Sequence, residues 1–412
     1  MRRVLSTAVA ATLLTLGAAC SDSGSDTAAS TASPTTEASE TTPPETTEAA
    51  PTTTRPAPTT TESVDELAGY AWVQAADGAP WGDRAGLRVL ELDGALYVLG
   101  GRTPRNSPIP GDSDLWGDAW RSDDLGVTWS QTLASGDAFA PRAYFQAVAH
   151  DGEMYVIGGQ NFGFPSTFFN DVWRSKDGVT WEQTTPAAPW VGRAGLMAAS
   201  LGDSIYVFGG SRNDDSAVIG PTGPVREYFN DVWRSSDGGV TWVEATAAAP
   251  WSARAGGAVV THDDAIYLLG GEVGFVCQPF PGCEPPYFND VWRTTDGANW
   301  ELVTEAAGWS PRPGHQCESI TAEIVCFGGF GQEENPIDMW ASADGADWRL
   351  LTQNPWNATT PEQGRYDFDS AVITTATGPA IVTVGGDRET FSFGDPQNWT
   401  RVDDDVWWFA PA

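Results

Sequence analysis

The sequence predicts an all-β fold assembled from six copies of one unit, and three observations carry that reading. A strand-like segment ending in Gly-Gly recurs as ALYVLGG (95–101), EMYVIGG (153–159), SIYVFGG (204–210), AIYLLGG (265–271), EIVCFGG (323–329) and AIVTVGG (380–386). A tryptophan follows each pair (Trp120, Trp173, Trp233, Trp292, Trp340 and Trp407), and five units add a second one, at Trp129, Trp181, Trp242, Trp300 and Trp348. Composition agrees: 20 Trp and 45 Gly suit many short strands and tight turns better than helices. An arginine opens each unit, at Arg84, Arg142, Arg193, Arg254, Arg312 and Arg365, standing 16 residues before the Gly-Gly pair in five units and 20 in the last.

Gly-Gly after an alternating strand, followed by spaced large aromatics, resembles the kelch repeat. The resemblance covers residues 70 to 409 and implies a six-bladed β-propeller in which each unit is one four-stranded blade. Strand a would follow the arginine, strand b end at Gly-Gly, strand c carry the first tryptophan and strand d the second. The sixth unit lacks strand d. Trp72 supplies it, because it precedes Arg84 by 12 residues, as Trp181 precedes Arg193 and Trp242 precedes Arg254. The N-terminal strand near Tyr70–Ala75 is therefore expected to complete the last blade and protect its edge.

The c–d hairpins carry a second signature. SDDLGVTW (122–129) and SSDGGVTW (235–242) resemble the Asp-box, whose role is structural; three shorter versions occupy the other hairpins. The Phe-Asn-Asp triplets at 169–171, 229–231 and 288–290 read as turn-forming caps of strand c, since Asn and Asp bond local backbone.

Residues 1–20 read as an export signal: Arg2 and Arg3, then an apolar stretch to Gly17, then Ala18-Ala19-Cys20. Leu16-Gly-Ala-Ala-Cys20 resembles a bacterial lipobox, although Gly17 stands where that family usually has Leu. Lipidation of Cys20 is the favoured expectation and a free secreted protein the alternative. Residues 21–64, rich in Ser, Thr, Pro and Glu without one aromatic, cannot bury enough surface to order themselves. They form a tether with a flexible reach of roughly 35–40 Å. Residues 65–412 form the propeller.

A formal charge of −33, with Lys176 the single lysine, excludes a nucleic-acid binder that works through a basic surface. Beyond Cys20 there are four cysteines, an even number. Cys277 with Cys283, and Cys317 with Cys326 across the a–b turn of blade 5, are expected as local disulfides, in keeping with export. No cofactor or metal is expected: His150 and His262 lie too far apart to share an ion, and His315 belongs to the repeat. Neither a nucleophile elbow nor a phosphate loop is present.

Alternating strand direction puts the d–a and b–c connections on one face, with the arginines and all the length variation. Trp81, Phe139, Trp190, Trp251 and Trp309 each stand three residues before their arginine, and Glu362 takes that place in unit six. Aromatics beside arginines could form a platform for a sugar or an anion. Against this stands pairing of each arginine with a nearby acid, which repetition in every unit favours; two or three copies are expected to meet ligand. The leading expectation is a monomeric, lipid-anchored binding module on the outer face of the cytoplasmic membrane, recognising an envelope glycan, a small anionic molecule or a partner protein. The alternatives are a sugar-active enzyme on the same face, similar to a kelch-type sialic-acid mutarotase, and a structural envelope scaffold.

Overall fold

The computed structural model describes residues 66–106, 112–163, 166–213, 226–274, 286–331, 333–389 and 400–412. Cys20, the tether, Cys277 and Cys283 lie outside them. Six four-stranded antiparallel sheets follow one another, each with its strands in the order a-b-c-d. Blade 1 shows the pattern: Arg88–Leu92, Ala95–Pro104, Ser113–Ser122 and Ser130–Leu133. Strand b is buried along almost its whole length, since it lies inside its sheet and is packed on both faces. Strand d is mostly exposed because it is the outer edge.

The last blade is built from both ends of the propeller. Asp369–Thr375, Gly378–Val384 and Val406–Pro411 are joined by Tyr70–Ala76, which pairs antiparallel with Val406–Pro411 and sets Trp72 opposite Phe409. Trp72 then packs on Phe327, Trp356 and Phe409, so the closing strand is held by side chains as well as by its ladder.

The c–d hairpins owe their shape to one serine or threonine and one aspartate each. Ser122 Oγ accepts from the Gly126 N–H, Asp124 accepts from the Thr128 N–H, and Trp129 Nε1 donates to the Gly126 carbonyl. Apolar clusters fill the gaps between successive blades, so the core is a ring of interfaces around an axis. Cys317 and Cys326 are bonded, directly opposite each other across strands a and b of blade 5.

Candidate functional site

The six arginines are struts inside the blades. Each is 7% exposed or less, and each guanidinium grips one aspartate through two hydrogen bonds of 2.5–3.1 Å. The partners are Asp118, Asp171, Asp231, Asp290, Asp338 and Asp405, in blade order. Nη1 also donates to the first carbonyl of the Gly-Gly pair, and the same aspartate accepts the indole N–H two residues later. In three blades the guanidinium lies 3.9–4.0 Å from the centroid of Phe169, Phe229 or Phe288. Burial works against the charge of Asp231, yet the hydrogen bonds from Arg193 hold its carboxyl below the usual range. The expected arginine ring at the channel mouth is thus replaced by six internal pairs whose donors are already taken.

The neighbouring aromatics do not make a platform either. Trp81, Phe139, Trp190, Trp251 and Trp309 are buried and meet Trp129, Trp181, Trp242, Trp300 and Trp348 edge to face, with centroids 4.3–6.3 Å apart. In blade 6 Glu362 is exposed, and Trp356 packs on Trp72 instead. The Phe-Asn-Asp triplets likewise reach further than a local cap. Asn170 donates to the carbonyls of Ala188 and Trp190, tying strand c to the d–a connection, while Asp171 holds Arg142.

Two residues beyond each arginine the backbones close on the axis. Gly86, Tyr144, Gly195, Gly256, Gly314 and Asp367 form a ring of six hydrogen bonds of 2.8–3.1 Å, each N–H donating to the carbonyl of the adjacent blade. All six have φ between 52° and 67°. Four blades use glycine here, which adopts this conformation freely; Tyr144 and Asp367, on either side of Gly86, hold it as strained residues.

Around the mouth above this ring stands a collar that inspection of the repeat missed. The residue after each Gly-Gly pair is Arg102, Gln160, Ser211, Glu272, Phe330 or Asp387, none more than 7% exposed. Each is hydrogen-bonded through its backbone to the segment just after the blade's arginine, which gives all six equivalent places. Arg102 joins the first and last blades: Nη2 donates to Asp387 at 2.6 Å and Nε to the Tyr144 hydroxyl at 2.8 Å. Asp387 in turn accepts the Glu389 N–H. Burial pushes the carboxyls of Asp367, Asp387 and Glu389 above their ordinary range; neighbouring carboxylates add to the rise at Asp387 and Glu389, while the Arg102 guanidinium opposes it at all three. The missed signal was variation, six residue types at one position of a strict repeat.

Below the ring lies a channel cavity of about 150 Å³, bordered by Tyr144, Asp367, Arg88, Asp369, Glu318 and Ser370 among others. Burial raises Asp369 to about 6 and Glu318 to about 7, against a weak pull from Arg88 on the first and a Ser370 hydrogen bond on the second. Of the histidines, His150 and His262 reach across to Ser200 and Ser319 of the next blades, and His315 is buried between blades 4 and 5.

Comparison with known proteins agrees with this architecture. The profile of the KLHDC2/KLHL20/DRC7 kelch-repeats domain matches residues 86–303. Kelch domain-containing protein 3 of Rattus norvegicus and that of Mus musculus are each 26% identical over 132 residues, 31% of this chain. The match spans about a third (34%) of the length of those relatives. The solved structure of YjhT superposes with a TM-score of 0.57 at 17% identity, covering 81% of this chain and 96% of that one, a likeness of fold. With six Gly-Gly blades, a paired arginine in each and a domain match over more than half its length, this chain belongs to the kelch-repeat family and folds as a six-bladed β-propeller.

Proposed function

We propose that this protein is a ligand-binding head, displayed outside the cytoplasmic membrane on a lipid at Cys20, that takes the end of an envelope glycan at the b–c mouth of the propeller. The collar carries the reading. The repeat keeps its arginine, aspartate, tryptophan and glycine pair in all six copies, yet places six different side chains at one buried position. A purely structural need is met by one residue used six times, as the arginines show. A ligand without six-fold symmetry asks something different of each blade. Tyr144 and Asp367 lend support, because backbone strain of about 1–3 kcal/mol gathers at functional sites. The chemistry suits a sugar: the mouth brings together two aromatic rings, Tyr144 and Phe162, which meet edge to face with the Arg102 guanidinium over both, and carboxyls and the Gln160 amide oxygen to receive hydroxyls. The signal-like residues 1–20 and the tether support the location.

A glycan array probed with the wild-type head and with Asp367→Gly tests this. Glycine restores the pattern of the other blades, so the variant should fold at least as stably while losing its glycan signal. Undiminished binding by the folded variant, or no glycan bound by the wild type, removes the reading.

A further inference from the structure

Blade 6 is held against both neighbours by carboxyls in the axial channel. Four residues after the strut arginine, Arg88, Gln146 and Gln316 each donate to a backbone carbonyl of the next blade, those of Phe145, Leu196 and Phe368, at 2.8–3.0 Å. Blade 6 reverses the polarity. Asp369 holds that place and accepts the Val89 N–H of blade 1 at 2.7 Å. On the other side, Glu318 of blade 5 accepts the Ser370 hydroxyl at 2.7 Å. Glu318 stands six residues after its arginine, where the other blades place Leu90, Val148, Ala199, Val260 and Ala371. One acid at a position that is otherwise apolar breaks the local rule of the repeat, and such breaks mark functional or strained sites.

Both carboxyls border the cavity of about 150 Å³ under the ring, where little balances their charge. The titratable residues on its wall, among those described, are Arg88, Tyr144, His315, Glu318, Asp367 and Asp369, while Cys317 is bonded to Cys326. Arg88 is the one permanent cation among them. It donates Nε to the Phe145 carbonyl and Nη1 to that of Leu87 at 3.2 Å, and reaches Asp369 only at 3.4 Å. Asp367 adds a third acid, and burial keeps the His315 imidazole neutral. An ionised carboxylate in that setting is disfavoured against the neutral acid, which is why Asp369 and Glu318 titrate above their ordinary range.

We propose that Asp369 and Glu318 form a proton-controlled latch on the closing blade. Protonated, they hold blade 6 against blades 1 and 5; ionised, they repel each other across the cavity and loosen both seams at the axis. Both groups titrate higher in the folded state than in the unfolded chain. Their support is therefore complete below about pH 4 and is withdrawn as pH rises through about 6 for Asp369 and about 7 for Glu318. Asp367 and Asp387 belong to the same blade and bond to Gly86 and Arg102 of blade 1, so the latch also sets how firmly the collar is held. It works whatever the mouth binds.

Amide hydrogen exchange of the folded protein at pH 6 and pH 8, corrected for the intrinsic pH dependence of exchange, reads the latch. Protection of the Val89 amide and of strand Asp369–Thr375 should fall about tenfold or more between the two. Met197–Leu201 and Ala258–His262, the inner strands of blades 3 and 4, carry no carboxyl and should keep theirs. In the double variant Asp369→Asn, Glu318→Gln, which keeps both acceptor oxygens and cannot ionise, the fall should vanish. Glu318→Gln alone should remove most of it, and gives the same readout where the double variant does not fold. A fall that persists in these variants, one shared equally by blades 3 and 4, or none in the wild type overturns the latch.

Discussion

The amide of Gly86 donates to the carbonyl of Asp367 at 2.8 Å, and through that one bond the first blade meets the last on the propeller axis. The other five bonds of the ring repeat it between consecutive blades. Residues in the ring cannot move independently, so a change at one blade's axis is felt by both neighbours. The two non-glycine members, Tyr144 and Asp367, flank Gly86 directly and concentrate the asymmetry of the mouth on blades 6, 1 and 2.

Removing one half of an arginine–aspartate strut should be severe. Arg193→Ala leaves the Asp231 carboxylate buried opposite no cation, beside an indole N–H and a carbonyl it once shared. Losing one partner of a buried pair costs about 3–5 kcal/mol. Urea unfolding of the variant should show that loss, and a change below about 1 kcal/mol would mean that the strut is ornamental.

His315 should make the propeller acid-sensitive. Burial, assisted by the nearby charge of Arg312, pushes its imidazole down to about 3 from an ordinary 6.5. The folded state keeps the ring neutral where the unfolded chain takes up a proton. Its contribution is therefore complete above pH 6.5 and declines by about 1.4 kcal/mol per pH unit below that, until about pH 3. Leu87, Phe145, Leu196 and Phe368 hold the equivalent place in four other blades. His315→Leu should thus gain on the wild type by about 2 kcal/mol on going from pH 7 to pH 5. An equal gap at both pH values would contradict the burial argument.

Removing the chain through Ala76 should cost far more than one edge strand. Without Tyr70–Ala76, blade 6 loses Trp72 from an aromatic cluster with Phe327, Trp356 and Phe409 and exposes the ladder of Val406–Pro411. The truncated head should melt well below the full-length protein in calorimetry. Matching transitions would show that the ring does not need its fastening.

Cys20→Ser should move the protein from the membrane fraction to the soluble one and abolish metabolic labelling with a fatty acid. Persistent sedimentation with membranes would assign the attachment to something other than the cysteine.

What the sequence revealed and what it hid have one physical cause. Gly-Gly pairs, tryptophans and the 12-residue step from Trp72 to Arg84 are local and recur at nearly constant spacing, so the blades and their closure could be read directly. Cys317 and Cys326 were legible for the same reason, lying on one hairpin. The partner of each arginine was not. Its aspartate stands 26 to 40 residues downstream, beyond a b–c connection of changing length, although Asp-x-Trp recurs in every unit. Trp356 was hidden because blade 6 brings it from nine residues before its arginine, where the other blades use three. The collar was hidden differently. A search for repeated residues passes over a position whose meaning lies in not repeating.

Pairing of Tyr70–Ala76 with Val406–Pro411 also sets an order of events in synthesis. The first strand made has no partner until the last strand has left the ribosome. Until then blade 6 has only strands a and b, and Trp72 has no Phe409 to pack on. Premature termination anywhere before residue 406 thus removes strand c and orphans strand d in the same stroke. A chain short by only Val406–Pro411 should be recognised by proteases as unfinished, so the pairing is a check that both halves of the last blade have been made.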